Sequence, residues 1–166
     1  MTTGQTVNFL AKFASSEPFE KVFREGMGLV EETADYLDGP GRADSRLLDR
    51  SGAVAYATES MRLTTRLMQM ASWLLLQRAV HAGEINEADA QAEKRRISLE
   101  EVGAGGAIEG AENLPEGLKD LVTRSLRLHE RILGMDRSLN AKPEANEAAS
   151  EVGRQLDELS RAFGTR

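Results

Sequence analysis

VAYATESMRLTTRLMQMASWLLLQRAV, residues Val54–Val80, is the stretch on which the fold turns. It contains no glycine or proline, and its polar residues stand singly among apolar ones. One helix-spaced series takes in Met61, Leu67, Met68, Ala71, Leu75 and Ala79, and a second takes in Tyr56, Leu63, Met70 and Leu74. The two series lie on different sides of a single helix. A helix that is apolar on more than one side is expected to be central, covered by several neighbours. Glu59, Arg62 and Arg66 sit inside this stretch, where charge is expensive to bury unless it is paired.

Upstream, Ser16 followed by Glu17-Pro18 is a helix-start signature, because proline is harmless in a first turn. Phe19, Val22, Phe23, Met27, Val30, Ala34 and Leu37 then mark a first helix to about Asp38, stopped by Gly39-Pro40-Gly41. Gly26 and Gly28 each cost that helix about 1 kcal/mol relative to alanine, so another helix is expected to approach closely there. A second helical stretch is predicted from Asp44 or Ser45 to His81 or Ala82, ended by Gly83. Unbroken it would be about 57 Å long against about 33 Å for the first. The mismatch predicts a break at Ser51-Gly52, or an overhang that self-association would cover.

Residues 84–114 read as a flexible connector. Asn86 is placed to cap a short helix, and Gly103-Ala104-Gly105-Gly106-Ala107 is too poor in bulky side chains to pack. The acids of residues 84–117 outnumber Lys94, Arg95 and Arg96 by six, which accounts for the whole formal net charge of −6. Pro115 opens a third helix with Leu118, Leu121, Val122, Ser125, Leu128, Ile132, Met135 and Leu139 on one face. Leu126 and Leu133 lie off that face, within reach of a second subunit. Asn140-Ala141-Lys142-Pro143 interrupts the pattern, and Val152, Leu156, Leu159 and Phe163 form a thin stripe on a tail that is helical when docked. Residues 1–15 read as a flexible arm carrying Phe9, Leu10 and Phe13. Alternating β-branched runs are absent from the sequence. The expectation is an all-α protein: an antiparallel three-helix bundle over 16–139, with the acidic connector inside it and a polar C-terminal tail over 140–166.

Composition narrows the function. At 166 residues and 40% hydrophobic content the chain supports one domain with a core. Without cysteine there is no disulfide or thiolate metal site, which suits a reducing cytoplasm. No secretory signal is read, and Arg62, Arg66 and Arg78 bracket Trp73–Leu76 too closely for a membrane span. Outside the connector the charges balance, so no general attraction to nucleic-acid phosphates is expected. His81 and His129 both lack a glutamate three residues earlier, so no metal or cofactor is expected. No phosphate-binding glycine loop is present, and Ser60, Thr64 and Thr65 have no histidine nearby in sequence. The chain reads as a non-enzyme.

Glu59, Arg62 and Arg66 fall on one helical side. One reading is an ion network that sets helix register, with Glu31, Glu32 and Asp35 as partners of the arginines. The other is an exposed recognition patch for a second protein. Arg124, Arg127 and Arg131 form another basic stripe, read as a solvated face.

The strings FREGMGLVEETADYLDGPGR (Phe23–Arg42) and YATESMRLTTRLMQMASWLLLQRAV (Tyr56–Val80) resemble the regulator of CtrA degradation family of alphaproteobacteria. The resemblance implies a small dimeric three-helix protein without catalytic activity. It implies an adaptor in regulated proteolysis by the ClpXP protease, working with a response-regulator priming protein to deliver cell-cycle cargo such as CtrA. An adaptor acts by tethering, which raises the local concentration of cargo at the protease. On that reading the partner surface is expected at Tyr36, Asp38, Arg42 and Tyr56, and along Glu59, Arg62 and Arg66. The tail stripe with Leu156 and Phe163 is a further candidate. The alternatives are a DNA-associated cell-cycle regulator using the Arg124 stripe, a generic protein-interaction bundle, and a bundle enzyme or cofactor carrier.

Overall fold

The Ser16 hydroxyl accepts a hydrogen bond from the Phe19 N–H at 3.4 Å and, with Pro18 in the first turn, starts α1 (Glu17–Asp38). The computed structural model describes residues 16–100 and 105–163, without the side chains of 142–150 and 160–163. The expected arm over 1–15, and Gly103-Ala104 of the glycine run, lie outside the described residues. Helix α1 ends where expected: the Gly39 N–H closes the last turn on the carbonyls of Asp35 and Tyr36, at 3.0 and 3.3 Å. Pro40, however, does not lead into a loop. It opens α2 (Pro40–Ser45), since a proline lacks only an N–H that a first turn leaves unused.

The break in the second helical stretch falls earlier than the sequence suggests. Helix α3 (Arg50–His81) runs through Ser51-Gly52, and the interruption lies at residues 46–49. The Asp49 carboxylate accepts from the Gly52 N–H at 2.7 Å, and a Cβ on Gly52 would stand 3.0 Å from that same oxygen. Gly52 therefore makes room for the cap that starts the helix instead of ending one.

The buried face of α1 is Phe19, Val22, Phe23, Gly26, Leu29 and Thr33. Val30 and Ala34, expected on it, are exposed, because the alternating three- and four-residue steps from Phe19 pass through Leu29 and Thr33. Gly26 behaves as expected: a Cβ there would lie 2.7 Å from Leu74 Cδ1. Gly28 faces open space. Phe19 and Trp73, both fully buried, set their rings 6.5 Å apart, and Leu63, Met70, Leu118 and Leu128 are fully buried as well.

Helix α3 is not covered all round. Ala55, Leu63, Leu67, Met70, Trp73 and Leu74 are buried, whereas Val54, Met61, Met68 and Leu75 are 60%, 71%, 65% and 53% exposed. Its docking on α1 is marked by Arg78, which pairs with Glu20 at 3.3 Å and holds its guanidinium 3.8 Å above the Phe23 ring.

After Gly83, at φ 72°, Asn86 caps α4 (Glu87–Lys94) as expected, accepting from the Asp89 N–H at 2.8 Å. The connector is then fastened to the helices. The Leu99 side chain is buried, and its carbonyl lies 2.5 Å from Nε2 of the buried His129, which can donate to it. Gly106 is held by Arg62, and Gly110, at φ 85°, lies against Ser51. A short 3-10 turn (Ala111–Asn113) leads to α5 (Glu116–Phe163).

The expected interruption at Asn140–Pro143 does not end α5, which is continuous to Phe163. Pro143 removes one intrahelical hydrogen bond at a cost of about 3 kcal/mol, and the alanine- and glutamate-rich residues after it are strong helix formers. The chain divides into two compact units, Met1–Ile132 and Leu133–Arg166. In the second, Val152, Leu156 and Leu159 are 55%, 59% and 54% exposed. Among the described residues all the regular elements are helical, and no helix is long and apolar enough to cross a membrane.

Candidate functional site

Tyr36 on α1 is clasped between two glycines. A Cβ on Gly41 would stand 2.7 Å from one edge of its ring and from the Tyr56 hydroxyl, and a Cβ on Gly117 would stand 2.5 Å from the opposite edge. The Tyr36 hydroxyl donates to Asp44 at 3.4 Å. Partial burial, then the Asp44 charge, pushes the Tyr36 phenol up to about 12, and burial also raises that of Tyr56. Both phenols stay protonated at one end of the helices, and that of Tyr36 is the donor to Asp44. Asp38 and Arg42 form a 3.6 Å ion pair beside them in solvent.

Farther along α3, Glu59 and Arg62 pair at 3.1 Å, and Arg62 Nη1 also donates to the Gly106 carbonyl at 3.0 Å. A Cβ on Gly105 would lie 2.6 Å from the Arg62 guanidinium carbon, so a side chain there would shift the guanidinium from its present place.

Arg66 departs from the expected patch. It is 4% exposed and donates from Nη1 to the Ser125 hydroxyl at 2.8 Å, not to Glu31, Glu32 or Asp35. Burial lowers its pKa, and the Glu59 charge opposes that shift. An exposed patch made of all three residues is therefore not what the fold presents. Arg66 points inward because Ser125 and the dipole of its hydroxyl lie beneath it.

Arg124 and Arg131, read as a solvated face, are 41% and 43% exposed, and each is also ion-paired with α1. Arg124 meets Glu32 at 2.6 Å and Asp120 at 3.2 Å, and Arg131 meets Glu25 at 2.5 Å. The Arg124 bond holds the Glu32 carboxyl below its ordinary value and raises the pKa of the guanidinium. Among the described residues no group of three or more His, Asp or Glu is placed to hold a metal ion.

The sequence profile of the family described as "Protein of unknown function (DUF1465)" matches residues 10–163. The chain is 53% identical to the protein in the crystal structure of RcdA from Caulobacter crescentus CB15, with a TM-score of 0.63. That match covers 78% of this chain and 96% of the RcdA chain. The chain belongs to the RcdA family. No curated protein matches it.

The RcdA-like segments Phe23–Arg42 and Tyr56–Val80 lie on α1, α2 and α3. They supply Tyr36, Gly41 and Tyr56 of the aromatic end, and Glu59, Arg62 and Arg66. The structure joins Tyr36 with Tyr56, Asp38 with Arg42, and Glu59 with Arg62. It separates Arg66 from them by turning it into the core. Leu156 is exposed on α5, and the Phe163 side chain lies outside the described residues. Sequence reasoning missed Gly117, Gly105 and Asp44 as parts of the site. Glycine at a helix start and a glycine run in a connector both read as breakers, when here each makes room for a long side chain.

Proposed function

We propose that the protein is a non-enzymatic adaptor that helps deliver cell-cycle regulatory proteins to the ClpXP protease, in concert with a response-regulator protein that primes the unfoldase. The observation that carries this reading is 53% identity over 96% of the RcdA chain. On this reading the protein is cytoplasmic, alphaproteobacterial and homodimeric. Its cargo is of the CtrA class, and its fold is an antiparallel three-helix bundle. The bundle is supported by ion pairs in reversed order: Glu25 and Glu32 of α1 meet Arg131 and Arg124 of α5, and Glu20 meets Arg78 of α3.

The partner surface is the exposed rim around Tyr36, Asp38, Arg42 and Tyr56, continued by Glu59 and Arg62, with Leu156 and Phe163 on α5 as a second contact. Arg66 supports that surface from beneath. A DNA-associated regulator would need Arg124 and Arg131 free for phosphate, and both are neutralised by glutamates.

A reconstituted degradation assay tests the reading. With purified ClpXP, the primer and a competent cargo, this protein is expected to speed cargo loss only when the primer is present. The double substitution Asp38→Ala, Arg42→Ala is expected to abolish the acceleration without changing the fold. An unchanged rate across several competent cargos would overturn the adaptor reading.

A further inference from the structure

Arg62 Nη1 serves two acceptors, Glu59 on its own helix at 3.1 Å and the Gly106 carbonyl of the connector, 44 positions away, at 3.0 Å. The connector backbone lies directly on the guanidinium. A Cβ on Gly105 would stand 2.6 Å from its carbon and from Nη1, and 2.9 Å from Nε. Gly105, Gly106 and Ala107 are themselves exposed, so the connector is the outer layer over Arg62. Leu99 and Gly110 are buried on either side of it and pin it there. Between those pins, one solvent-exposed hydrogen bond, Arg62 to Gly106, joins the described residues 105–109 to α3.

We propose that residues 105–109 are an autoinhibitory strap. They occupy the guanidinium face that a partner's carboxylate would use, and such a partner docks on Arg62 once the Gly106 carbonyl lets go. The inference rests on the adaptor reading above, in which Glu59 and Arg62 belong to the partner surface, and it gives that surface a means of regulation. The chemistry sets the order of preference. A peptide carbonyl is a neutral acceptor, whereas a carboxylate takes two guanidinium N–H groups in parallel, in bonds about twice as strong. An acidic group therefore displaces the strap, and a neutral one does not.

Charge strengthens the block while the strap is down. The exposed Glu109 lies in the strap itself, and acids exceed bases by six over residues 84–117. A partner carboxylate approaching a covered Arg62 meets like charge. Its apparent affinity is then reduced by the fraction of molecules whose strap is off. Two neighbouring glycines give separate handles on that fraction. A side chain at Gly105 presses on the guanidinium and parts it from Gly106, whichever of the two moves. A Cβ on Gly106 meets nothing within 4 Å, and the backbone there is not left-handed, so a carboxylate can be added beside Arg62.

The test follows amide hydrogen exchange at residues 105–110 of the full-length protein, with and without a cargo whose degradation it accelerates. Affinity for the same cargo, fluorescently labelled, is read by anisotropy. Bound cargo is expected to speed exchange across 105–110. Gly105→Val is expected to speed that exchange without cargo and to tighten cargo binding several-fold. Gly106→Asp is expected to slow the exchange and weaken cargo binding several-fold, an effect that added salt relieves. Exchange at 105–110 that bound cargo leaves unchanged or slows would overturn the strap and leave the adaptor reading standing. Equal cargo affinity in all three proteins would do the same. No acceleration of any competent cargo would overturn the adaptor reading and the strap with it.

Discussion

Arg66 donates from Nη1 to the Ser125 hydroxyl at 2.8 Å in the buried seam between α3 and α5, and its Nε has no hydrogen-bond partner among the described residues. Ser125 donates its own O–H to the Val122 carbonyl at 2.7 Å, so its oxygen lone pairs are free to accept. Removing one partner of a buried charged hydrogen bond is worse than removing the charge itself. Ser125→Ala is expected to lower stability by about 1–3 kcal/mol, measured by urea unfolding. Arg66→Met should cost less than that or raise stability. A neutral Ser125→Ala would mean that Arg66 finds water or another acceptor.

Gly26 and Gly28 make a matched pair on one helix. Gly28→Ala meets no atom within 4 Å and should gain about 1 kcal/mol from helix propensity. Gly26→Ala would press a methyl to 2.7 Å from the buried Leu74 side chain and should lose that gain and about 1–2 kcal/mol more. Urea midpoints of the two variants moving together would show that the α1–α3 contact is looser than described.

The chain has two tyrosines, so phenolate absorbance reads only Tyr36 and Tyr56. Tyr36 titrates near 12 when folded against an ordinary 10.0, and Tyr56 is shifted in the same direction. A raised folded value gives stability that is whole below pH 10 and lost as pH climbs toward 12. The native protein at pH 10 should show little phenolate, and the urea-unfolded protein about half. Tyr36→Phe should flatten the alkaline loss of stability.

Glu32 carries the opposite sign. Its carboxyl is depressed below 4.5 by the Arg124 bond, so its contribution is present above pH 4.5 and lost as pH falls through the lower folded value. The pair is about half exposed, which keeps the effect small. The urea midpoint of Glu32→Gln should lie below that of the unsubstituted protein at pH 7 and converge on it as pH falls through the lowered folded value. A constant offset over that range would mean the pair contributes through packing alone.

The connector should be separable from the core. Arg62→Ala releases the Gly106 carbonyl and should speed hydrogen exchange at residues 105–110 with little change in urea midpoint, because that bond is solvent-exposed. Gly110→Ala should behave differently. It forces a side chain into φ 85° and against the Ser51 backbone at 2.9 Å, and a loss of more than about 1 kcal/mol is expected.

What the sequence by itself determined is whatever depends on residues within a turn or two of each other. The start of α1 at Ser16, its end at Gly39, the Asn86 cap and the all-helical class all follow from local caps and periodicity. The RcdA-like wording of Phe23–Arg42 and Tyr56–Val80 was likewise legible. Only the tertiary structure decided which side of α3 stays bare, because apolar spacing marks two sides and docking covers one. It also turned Arg66 toward Ser125, 59 positions away, and paired Glu32 with Arg124 across 92. Such partners are chosen when helices settle into register, and no residue within reach along the chain announces them.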